Sequence, residues 1–264
     1  MDIPRTVRTA LADRPVSGAT CLEAGAGMGN TTAGLLADGA SRVYAVTNDP
    51  EHATAVRERF DDGEGGWIDG EGEGEWTDGE GEGERFDSES GRTAVLEADL
   101  RSLPLETDSV EIITAHALFN LVGPPSLEAV AAELTRVADL GCHLVIDDYR
   151  PPPDDAAVRE LFALENAAAE LATGKSALTF YPEAVLERLF AGYGWEFDRK
   201  RILLDPVPWT ASHIEAHATA ALSMCSRLRP ELREPLAAEV KRVATSIGEE
   251  STGTMYSVAL RLPA

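Results

Sequence analysis

Short apolar runs alternate with helical segments along the first half of the chain. The apolar runs predict buried strands at 19–23, 43–46, 93–99, 110–116 and 142–148. The segments between them favour helices at 31–37, 51–60 and 127–137. Strands and helices that alternate through short links are typical of a parallel sheet with right-handed crossovers. The pattern therefore predicts the α/β class.

The second half contains more helix than strand. Helices are predicted at 155–173, 182–191, 211–227 and 232–246, strands at 196–204 and 255–261, and one short helix near the start at 3–13. The chain has 264 residues, a length that a single α/β domain commonly reaches. We expect one domain over 1–264, in which the helical segments 151–191 and 205–250 are additions that cover a substrate site.

The stretch 61–92 interrupts this pattern. Thirteen acidic residues, ten glycines and two arginines occur among its 32 positions, and 67–75 is nearly repeated as 76–84. Such a composition cannot bury enough apolar surface to fold, so we predict a disordered, acidic insertion. Calcium binding is an alternative, but the carboxylate spacing matches no known calcium loop, and a solvated tether is favoured.

The charge balance narrows the possible partners. Forty-six acidic and 23 basic residues give a net charge of −23. This charge suits a salt-rich cytoplasm and opposes binding to nucleic acid or to anionic membranes. Three widely spaced cysteines indicate neither a disulfide framework nor a zinc site. No apolar run approaches the roughly 18 residues of a membrane span, so we expect a cytoplasmic protein.

A glycine-rich loop follows the first predicted strand. The strand ends at Glu23, and Gly25, Gly27 and Gly29 then occupy alternate positions before a helix. Glycines allow a sharp turn and a close approach to a ligand, and the amides at a helix start favour an anionic group. The polar residues 47–50 end the second strand, at about the distance where a carboxylate binds a ribose in nucleotide-binding α/β units. A nucleotide cradle is predicted.

With these motifs the sequence resembles class I S-adenosylmethionine-dependent methyltransferases of the small-molecule, type 11-like kind. The resemblance depends on the loop 22–29, on Asp99-Leu100 with 103–105 after it, on the strand 109–116, and on 133–137 leading to Gly141. A dinucleotide site would have its third glycine at position 30, where this chain has Asn30. The acidic composition further indicates a halophilic archaeon.

The resemblance implies a Rossmann-like, doubly wound, seven-stranded sheet that is mostly parallel, with an antiparallel C-terminal strand and helical lid insertions. It also implies a set of cofactor contacts. Glu23, Gly25, Ala26, Gly27 and Gly29 would hold the methionine part, Thr47, Asn48 and Asp49 the ribose, Asp99 and Leu100 the adenine, and Ala115 and His116 would lie near the sulfonium. Thr47 departs from the family pattern, since the ribose-binding acid normally follows the second strand directly.

Methyl transfer needs little covalent help, because orienting the two reactants supplies much of the rate enhancement. A general base would assist a hydroxyl or amine acceptor. The candidates His116, Asp148, Tyr149 and Tyr181 lie at or after predicted strand ends, with His116 and Tyr149 as the catalytic assignment. A buried structural role for His116 remains open. His213 and His217 have a spacing that suits a metal, but no third ligand is evident, so we expect an exposed helix face and no metal site.

The predicted function is methyl transfer from S-adenosylmethionine to a small molecule by a monomer or homodimer. Large apolar residues of the second half offer enough surface to cover a substrate pocket, namely Phe162, Phe180, Tyr181, Phe190, Tyr193, Trp195, Trp209 and Met224. The alternative, favoured for any single one of them, is a core residue that packs a helix on the sheet. The residues 117–120 lack an Asn-Pro-Pro-Tyr motif, which disfavours nucleic-acid amines. The alternatives are an inactive, cofactor-binding regulatory subunit and another nucleotide-binding α/β enzyme.

Overall fold

The computed structural model describes residues 3–60 and 89–264, and a seven-stranded sheet forms the centre of this part. The strands are β1 (Thr20–Ala24), β2 (Arg42–Thr47), β3 (Thr93–Glu97), β4 (Val110–His116), β5 (Ala138–Tyr149), β6 (Glu196–Leu204), β7 (Pro208–Trp209), β8 (Glu250–Ser251) and β9 (Met255–Arg261). The sheet order is β3-β2-β1-β4-β5-β9-β6, and β7 pairs separately with β8. The order reverses between β1 and β4, where open α/β sheets bind ligands.

Five strands are parallel and β9 runs against both of its neighbours. Val258 of β9 lies opposite Ile146 of β5 on one side and Lys200 of β6 on the other. The mostly parallel sheet with an antiparallel C-terminal strand is thereby confirmed. The predicted limits of β4, β6 and β9 agree with the structure. The two-residue pair β7 and β8 was not predicted, because segments this short carry no periodic pattern.

Eight helices belong to the described residues. They are α1 (Arg5–Leu11), α2 (Asn30–Ala37), α3 (Pro50–Phe60), α4 (Pro124–Val137), α5 (Val158–Thr173), α6 (Glu183–Ala191), α7 (Ala211–Ser226) and α8 (Pro230–Ile247). The helix α4 starts earlier than predicted, because Pro124 needs no backbone donor in a first turn. No helix in the described ranges has the length and apolarity to cross a membrane.

The apolar residues form two main clusters. The larger cluster lies against the sheet and includes Leu22, Ile113, Leu134 and Phe190, so α6 packs on the sheet as well as α4. The second lies among α5, α7 and α8, with members that are mostly aromatic or β-branched: Val158, Phe162, Trp209, Ile214, Val240 and Val243. The three helices of the second cluster thus form a layer with its own core.

The predicted acidic insertion falls mostly outside the described residues, over 61–88. Its last four residues, Glu89–Arg92, form a 3-10 turn that leads into β3, which corrects the prediction of disorder for those positions. The guanidinium of Arg92 donates to the carbonyl of Ala40 at 3.0 Å. The described residues therefore include the last four positions of the predicted insertion.

Candidate functional site

The glycine loop between β1 and α2 has three residues in the left-handed region. The φ angles are +75° at Gly25, +50° at Gly27 and +72° at Gly29. A Cβ at Gly25 would lie 2.7 Å from Leu118 Cδ1, and one at Gly29 would lie 2.7 Å from the ring of Phe60. A Cβ at Gly27 would meet nothing within 4 Å. Packing therefore demands glycine at the outer two positions, whereas Gly27 faces open space.

Side chains on both sides hold this loop in place. The buried carboxylate of Glu23 accepts the backbone amide of Thr32 at 2.8 Å and also the Thr32 hydroxyl. Burial raises the pKa of Glu23. On the outer side, the Arg59 guanidinium donates to the Met28 carbonyl and to Asn30 Oδ1, the latter at 2.9 Å. Glu23 thus ties the loop to the first turn of α2.

The polar residues after β2 are used by the start of α3. The Asp49 carboxylate accepts the amides of Glu51 at 2.8 Å and His52 at 3.2 Å, which is a helix N-cap. The hydrogen bond from His52 holds the pKa of Asp49 below its usual value. Thr47 is buried, and its hydroxyl accepts the Asp49 amide at 3.1 Å. Asn48 is exposed, and so this stretch offers its amide to a ligand more readily than the Asp49 carboxylate.

Asp99 follows β3 and forms an ion pair within its own loop. Both of its carboxylate oxygens accept from the Arg101 guanidinium, and one accepts the Arg101 backbone amide at 2.9 Å. Hydrogen bonding to Arg101 lowers the pKa of Asp99. The next residue, Leu100, packs against the main apolar cluster.

His116 ends β4 beside two acidic residues of β5. Its Nδ1 lies 3.1 Å from Oδ2 of Asp147, a residue with only 4% of its surface exposed. Burial acts to lower the pKa of His116. The hydrogen bond and the charge of Asp147 outweigh burial, with help from the carboxylates of Glu23 and Asp148, and the pKa is raised above its ordinary value.

The neighbouring Asp148 organises the turn after β4. It accepts the backbone amides of Asn120 at 3.0 Å and Tyr149 at 2.7 Å, and burial raises its pKa to about 6. Ala117 adopts φ +49°, a left-handed conformation that is uncommon for a residue with a side chain. Its amide donates to the Asp147 carbonyl at 2.7 Å. Strained backbone of this kind tends to cluster at functional sites.

These elements enclose a cavity of about 440 Å³ at the carboxyl edge of the sheet. Its lining comes from the glycine loop, the end of β2, the loop after β3 and the turn after β4: Gly25, Gly27, Thr47, Asn48, Asp49, His52, Leu100, His116, Ala117, Leu118, Leu121 and Val122. We call this the loop cavity. A second cavity of about 480 Å³ shares Asn48, Leu121 and Val122 with it. Asp99, Arg101 and Lys175 also line the second cavity.

The structure brings together seven of the predicted site residues in the loop cavity, namely Gly25, Gly27, Thr47, Asn48, Asp49, Leu100 and His116. Asp99 lies in the adjoining cavity. The remaining four, Glu23, Ala26, Gly29 and Ala115, line neither cavity. Ala26, for example, is buried and donates its amide to the Val46 carbonyl at 2.8 Å.

Tyr149 is not brought to the loop cavity, although the sequence suggested a catalytic role. Its ring packs against Trp209 with centroids 5.2 Å apart, at the edge of the second apolar cluster. Burial raises the pKa of Tyr149 to about 12. A phenol with such a pKa is a poor proton acceptor at neutral pH. The candidate Tyr181 donates its hydroxyl to the Val122 carbonyl at 2.9 Å and also lines neither cavity.

His213 and His217 do not share a ligand. His213 takes part in a capping box with Thr210 at the start of α7. His217 Nδ1 lies 2.7 Å from Glu165 Oε2 of α5, and its ring contacts Phe162. The expectation of an exposed helix face is therefore wrong for His217, which packs between helices. Among the described residues, no three acidic, histidine or cysteine side chains form a group that could hold a metal ion.

The comparison with protein families concerns the same part of the chain. Residues 22–146 match the family described as "Methyltransferase domain". The match starts in β1, ends in β5 and contains the whole loop cavity. Residues 22–146 are a class I methyltransferase domain. The family predicted from the sequence is thereby confirmed.

One curated relative matches a short stretch. The ribosomal RNA small subunit methyltransferase A of Methylobacterium radiotolerans is 44% identical over 57 residues, which are 22% of this chain and 20% of that protein. The match therefore spans about a fifth of that relative's length.

Two solved structures share the fold over nearly the whole chain. A putative methyltransferase from Bacillus halodurans is 14% identical, covers 98% of this chain and 99% of its own, and has a TM-score of 0.58. The geranyl diphosphate C-methyltransferase of Streptomyces coelicolor, solved with Mg²⁺, geranyl diphosphate and S-adenosyl-L-homocysteine, is 12% identical, covers 97% and 76%, and has a TM-score of 0.57. At these identities the likeness shows the fold.

Class I methyltransferases use S-adenosylmethionine, so the family confirms the cofactor predicted from the sequence. The loop cavity of this methyltransferase fits such a group. Gly27 leaves space where any other residue would place a Cβ, and the volume of about 440 Å³ lies within the range of small-molecule pockets. The polar contacts would come from the loop backbone and the exposed Asn48, since the Asp49 and Asp99 carboxylates and the Thr47 hydroxyl already have partners.

Five lining residues of the methyltransferase domain were missed in the sequence, namely His52, Ala117, Leu118, Leu121 and Val122. Leu118 and Val122 look like ordinary core residues, and His52 lies within a predicted helix. The turn 117–122 could have been found from its position alone, because it follows a strand at the point where the sheet order reverses. The left-handed Ala117 has no signal in its residue type.

Proposed function

We propose that this methyltransferase transfers a methyl group to a small-molecule acceptor, with His116 as the general base. The observation that carries the proposal is the loop cavity, in which the glycine loop and the His116 imidazole line the same space. Both cavities have the size of small-molecule sites, at about 440 and 480 Å³. The net charge of −23 disfavours nucleic acid as the acceptor.

S-adenosylmethionine would supply a methyl group bound to a sulfonium, and an acceptor would attack that methyl carbon in line with the departing thioether sulfur. The protein's contribution is then mostly binding and orientation, and well-oriented reactants gain about 7–11 kcal/mol. The glycine loop, Leu100 and the turn 117–122 would hold the cofactor, and Asn48 would offer it hydrogen bonds. The His116 imidazole accepts a proton from a hydroxyl or amine acceptor, a step that contributes about 10²–10⁴-fold in enzymes generally.

A second candidate is a regulatory subunit that binds the cofactor without turnover. One observation favours it: the Asp49 and Asp99 carboxylates, which the resemblance assigns to the ribose and the adenine, are used as a helix cap and in an ion pair with Arg101. Fewer polar contacts remain for the cofactor, and weak binding would suit a partner that responds to cofactor concentration.

Calorimetry and a turnover assay separate the candidates. We expect S-adenosylmethionine and its demethylated product to bind at micromolar levels in multimolar salt, and a nicotinamide dinucleotide not to bind. A panel of hydroxyl, amine and carboxylate metabolites is then screened for release of the demethylated product. Binding without turnover on the whole panel would favour the regulatory subunit, and binding of the dinucleotide instead would contradict both candidates.

A further inference from the structure

Asp147 is buried beside His116 with only half of its carboxylate in use. Oδ2 lies 3.1 Å from His116 Nδ1, whereas the buried Oδ1 has no hydrogen-bond partner among the described residues. A buried carboxylate with so few donors is costly unless a neighbouring cation compensates its charge. His116 is the ionisable donor in contact with it. The pair is therefore expected to be stable when the imidazole carries a proton.

The direction of the hydrogen bond fixes the state of the ring. An ionised carboxylate only accepts hydrogen bonds, so His116 Nδ1 must carry a hydrogen that it donates to Asp147. In the neutral ring Nε2 is then the nitrogen with a free electron pair. The imidazole lines the loop cavity, and its side chain is 24% exposed. A neutral His116 held in this way presents a single basic nitrogen to an acceptor in the cavity.

We propose that Asp147 is a positioning residue that holds His116 in the tautomer with a basic Nε2 and stabilises the imidazolium formed during the reaction. This inference rests on the proposed function. As the acceptor oxygen or nitrogen formed its bond to the methyl group, the methyl–sulfur bond would break with its electron pair left on sulfur as a neutral thioether, and the acceptor's proton would move to Nε2 of His116. The positive charge that results lies against the Asp147 carboxylate, and solvent takes the proton after the product leaves.

The charged groups around His116 decide whether activity rises or falls with pH. Three carboxylates face the ring, Asp147 and Asp148 from β5 and Glu23 from β1, and they raise the pKa of His116 despite its burial. The base must be neutral to act, so activity should rise with pH through this raised pKa. Removal of the Asp147 charge should move the rise to lower pH. The same pairing stabilises the fold fully below about pH 6.5, the unfolded value for histidine, and loses that effect as pH rises through the folded value.

The test combines a titration of the free protein with kinetics. The Cε1 signal of His116 is followed by NMR against pH in the wild type and in Asp147→Asn, and His116→Gln identifies the signal among the five histidines. Asp147→Asn should lower the midpoint and shift the pH-rate profile equally, with kcat reduced at least about 100-fold and KM changed less than about threefold. Asp147→Glu should restore part of the midpoint and of kcat. Circular dichroism confirms that each variant is folded.

The chain offers a matched control in Glu165→Gln, which removes the carboxylate from the pair with His217 and should leave the His116 titration and kcat unchanged. An unchanged His116 midpoint in Asp147→Asn, or a loss of kcat no larger than in Glu165→Gln, would overturn the inference. A shifted midpoint in a protein that binds cofactor but methylates nothing would refute the proposed function, while the pairing itself would stand. The titration needs no acceptor, so the two failures are distinguishable.

Discussion

Two of the histidine–carboxylate pairs among the described residues lie in different regions of this protein and have nearly the same local geometry. His116 and Asp147 lie at the carboxyl edge of the sheet, and His217 and Glu165 lie in the helical layer of α5, α7 and α8. The nitrogen–oxygen distances are 3.1 and 2.7 Å, and the two imidazole side chains are 24% and 23% exposed. Exposure and hydrogen bonding alone therefore do not distinguish them.

The difference lies in what surrounds each ring. His116 lines the loop cavity opposite the glycine loop, and backbone strain at Ala117 follows it directly. The ring of His217 lies 4.7 Å from that of Phe162 and 6.1 Å from that of Trp209, within an apolar cluster. A histidine paired with a carboxylate therefore indicates a catalytic role when it faces a space that a ligand can enter. It indicates a structural role when aromatic rings fill that space.

Replacement of each histidine by glutamine should give the largest difference in kcat between the two regions. His116→Gln should lower kcat by a factor of about 10²–10⁴, because the glutamine cannot accept the acceptor's proton. His217→Gln should change kcat less than about threefold, since its partners Glu165, Phe162 and Trp209 do not line the loop cavity. Steady-state kinetics at saturating cofactor measures both. Equal losses in the two variants would remove the distinction between the regions.

A substitution in the helical layer should lower the stability of the protein, whereas a substitution at the sheet edge should lower its activity. Phe162→Ala removes a buried ring that contacts Phe180, Trp209 and His217, and should reduce the free energy of unfolding by about 3–5 kcal/mol. Leu171→Ala on the same helix is the control, because that side chain is exposed. Denaturant titration measures the loss. Cofactor affinity in the folded Phe162→Ala protein should stay within about threefold of the wild type.

A substitution in the glycine loop tests whether the cofactor binds at this edge of the sheet. Gly27→Val fills the open space at that position and should weaken S-adenosylmethionine binding at least about 100-fold, or roughly 2.7 kcal/mol, with native circular dichroism. Gly18→Val is matched, because Gly18 also has a positive φ and a Cβ there would meet nothing within 4 Å, but it lies before β1. Calorimetry on both variants separates ligand exclusion from backbone strain. Retained affinity in Gly27→Val would place the cofactor elsewhere.

The smallest effect on cofactor binding is expected from Arg59, which contacts the glycine loop from outside the loop cavity. Arg59→Ala removes the donors to the Met28 carbonyl and to Asn30, and should weaken cofactor binding about fivefold, the equivalent of one hydrogen bond of about 1 kcal/mol. Arg242→Ala, on α8 of the helical layer, removes an exposed arginine whose partners are Glu160 and Glu239, and should leave affinity unchanged. Titration calorimetry at one fixed salt concentration compares the two.

The sequence was most informative where one local pattern decides the structure. The limits of β4 and β9 follow from short apolar runs, and all three loop glycines have the positive φ that their spacing suggests. It was least informative where a polar residue has a choice of partners. Asp49 and Asp99 follow strand ends as ligands would, yet their own loops use both carboxylates. That competition is decided by backbone geometry, which no spacing reveals.

Distant pairs explain the other omissions. Glu165 and His217 are separated by 52 positions, and Asp147 is 31 positions from His116. The register of β4 against β5 places His116 opposite Asp147, and only the assembled sheet shows it. Tyr149 follows the same acidic residues in sequence but packs against Trp209. Its catalytic role was inferred from its position at a strand end, and that position does not reveal which residues surround the ring.

The place of β9 in the sheet has a consequence for how the chain acquires its fold. Within the described residues, β6 is an edge strand whose sheet partner is β9, although 50 residues separate the end of β6 from the start of β9. During synthesis at about 5–20 residues per second, β6 would therefore wait for roughly 3–10 seconds before its partner is made. In that interval its backbone donors and the exposed Phe197 and Ile202 are available to other chains. The risk of aggregation through β6 is therefore expected to be greatest during synthesis, before β9 pairs with it.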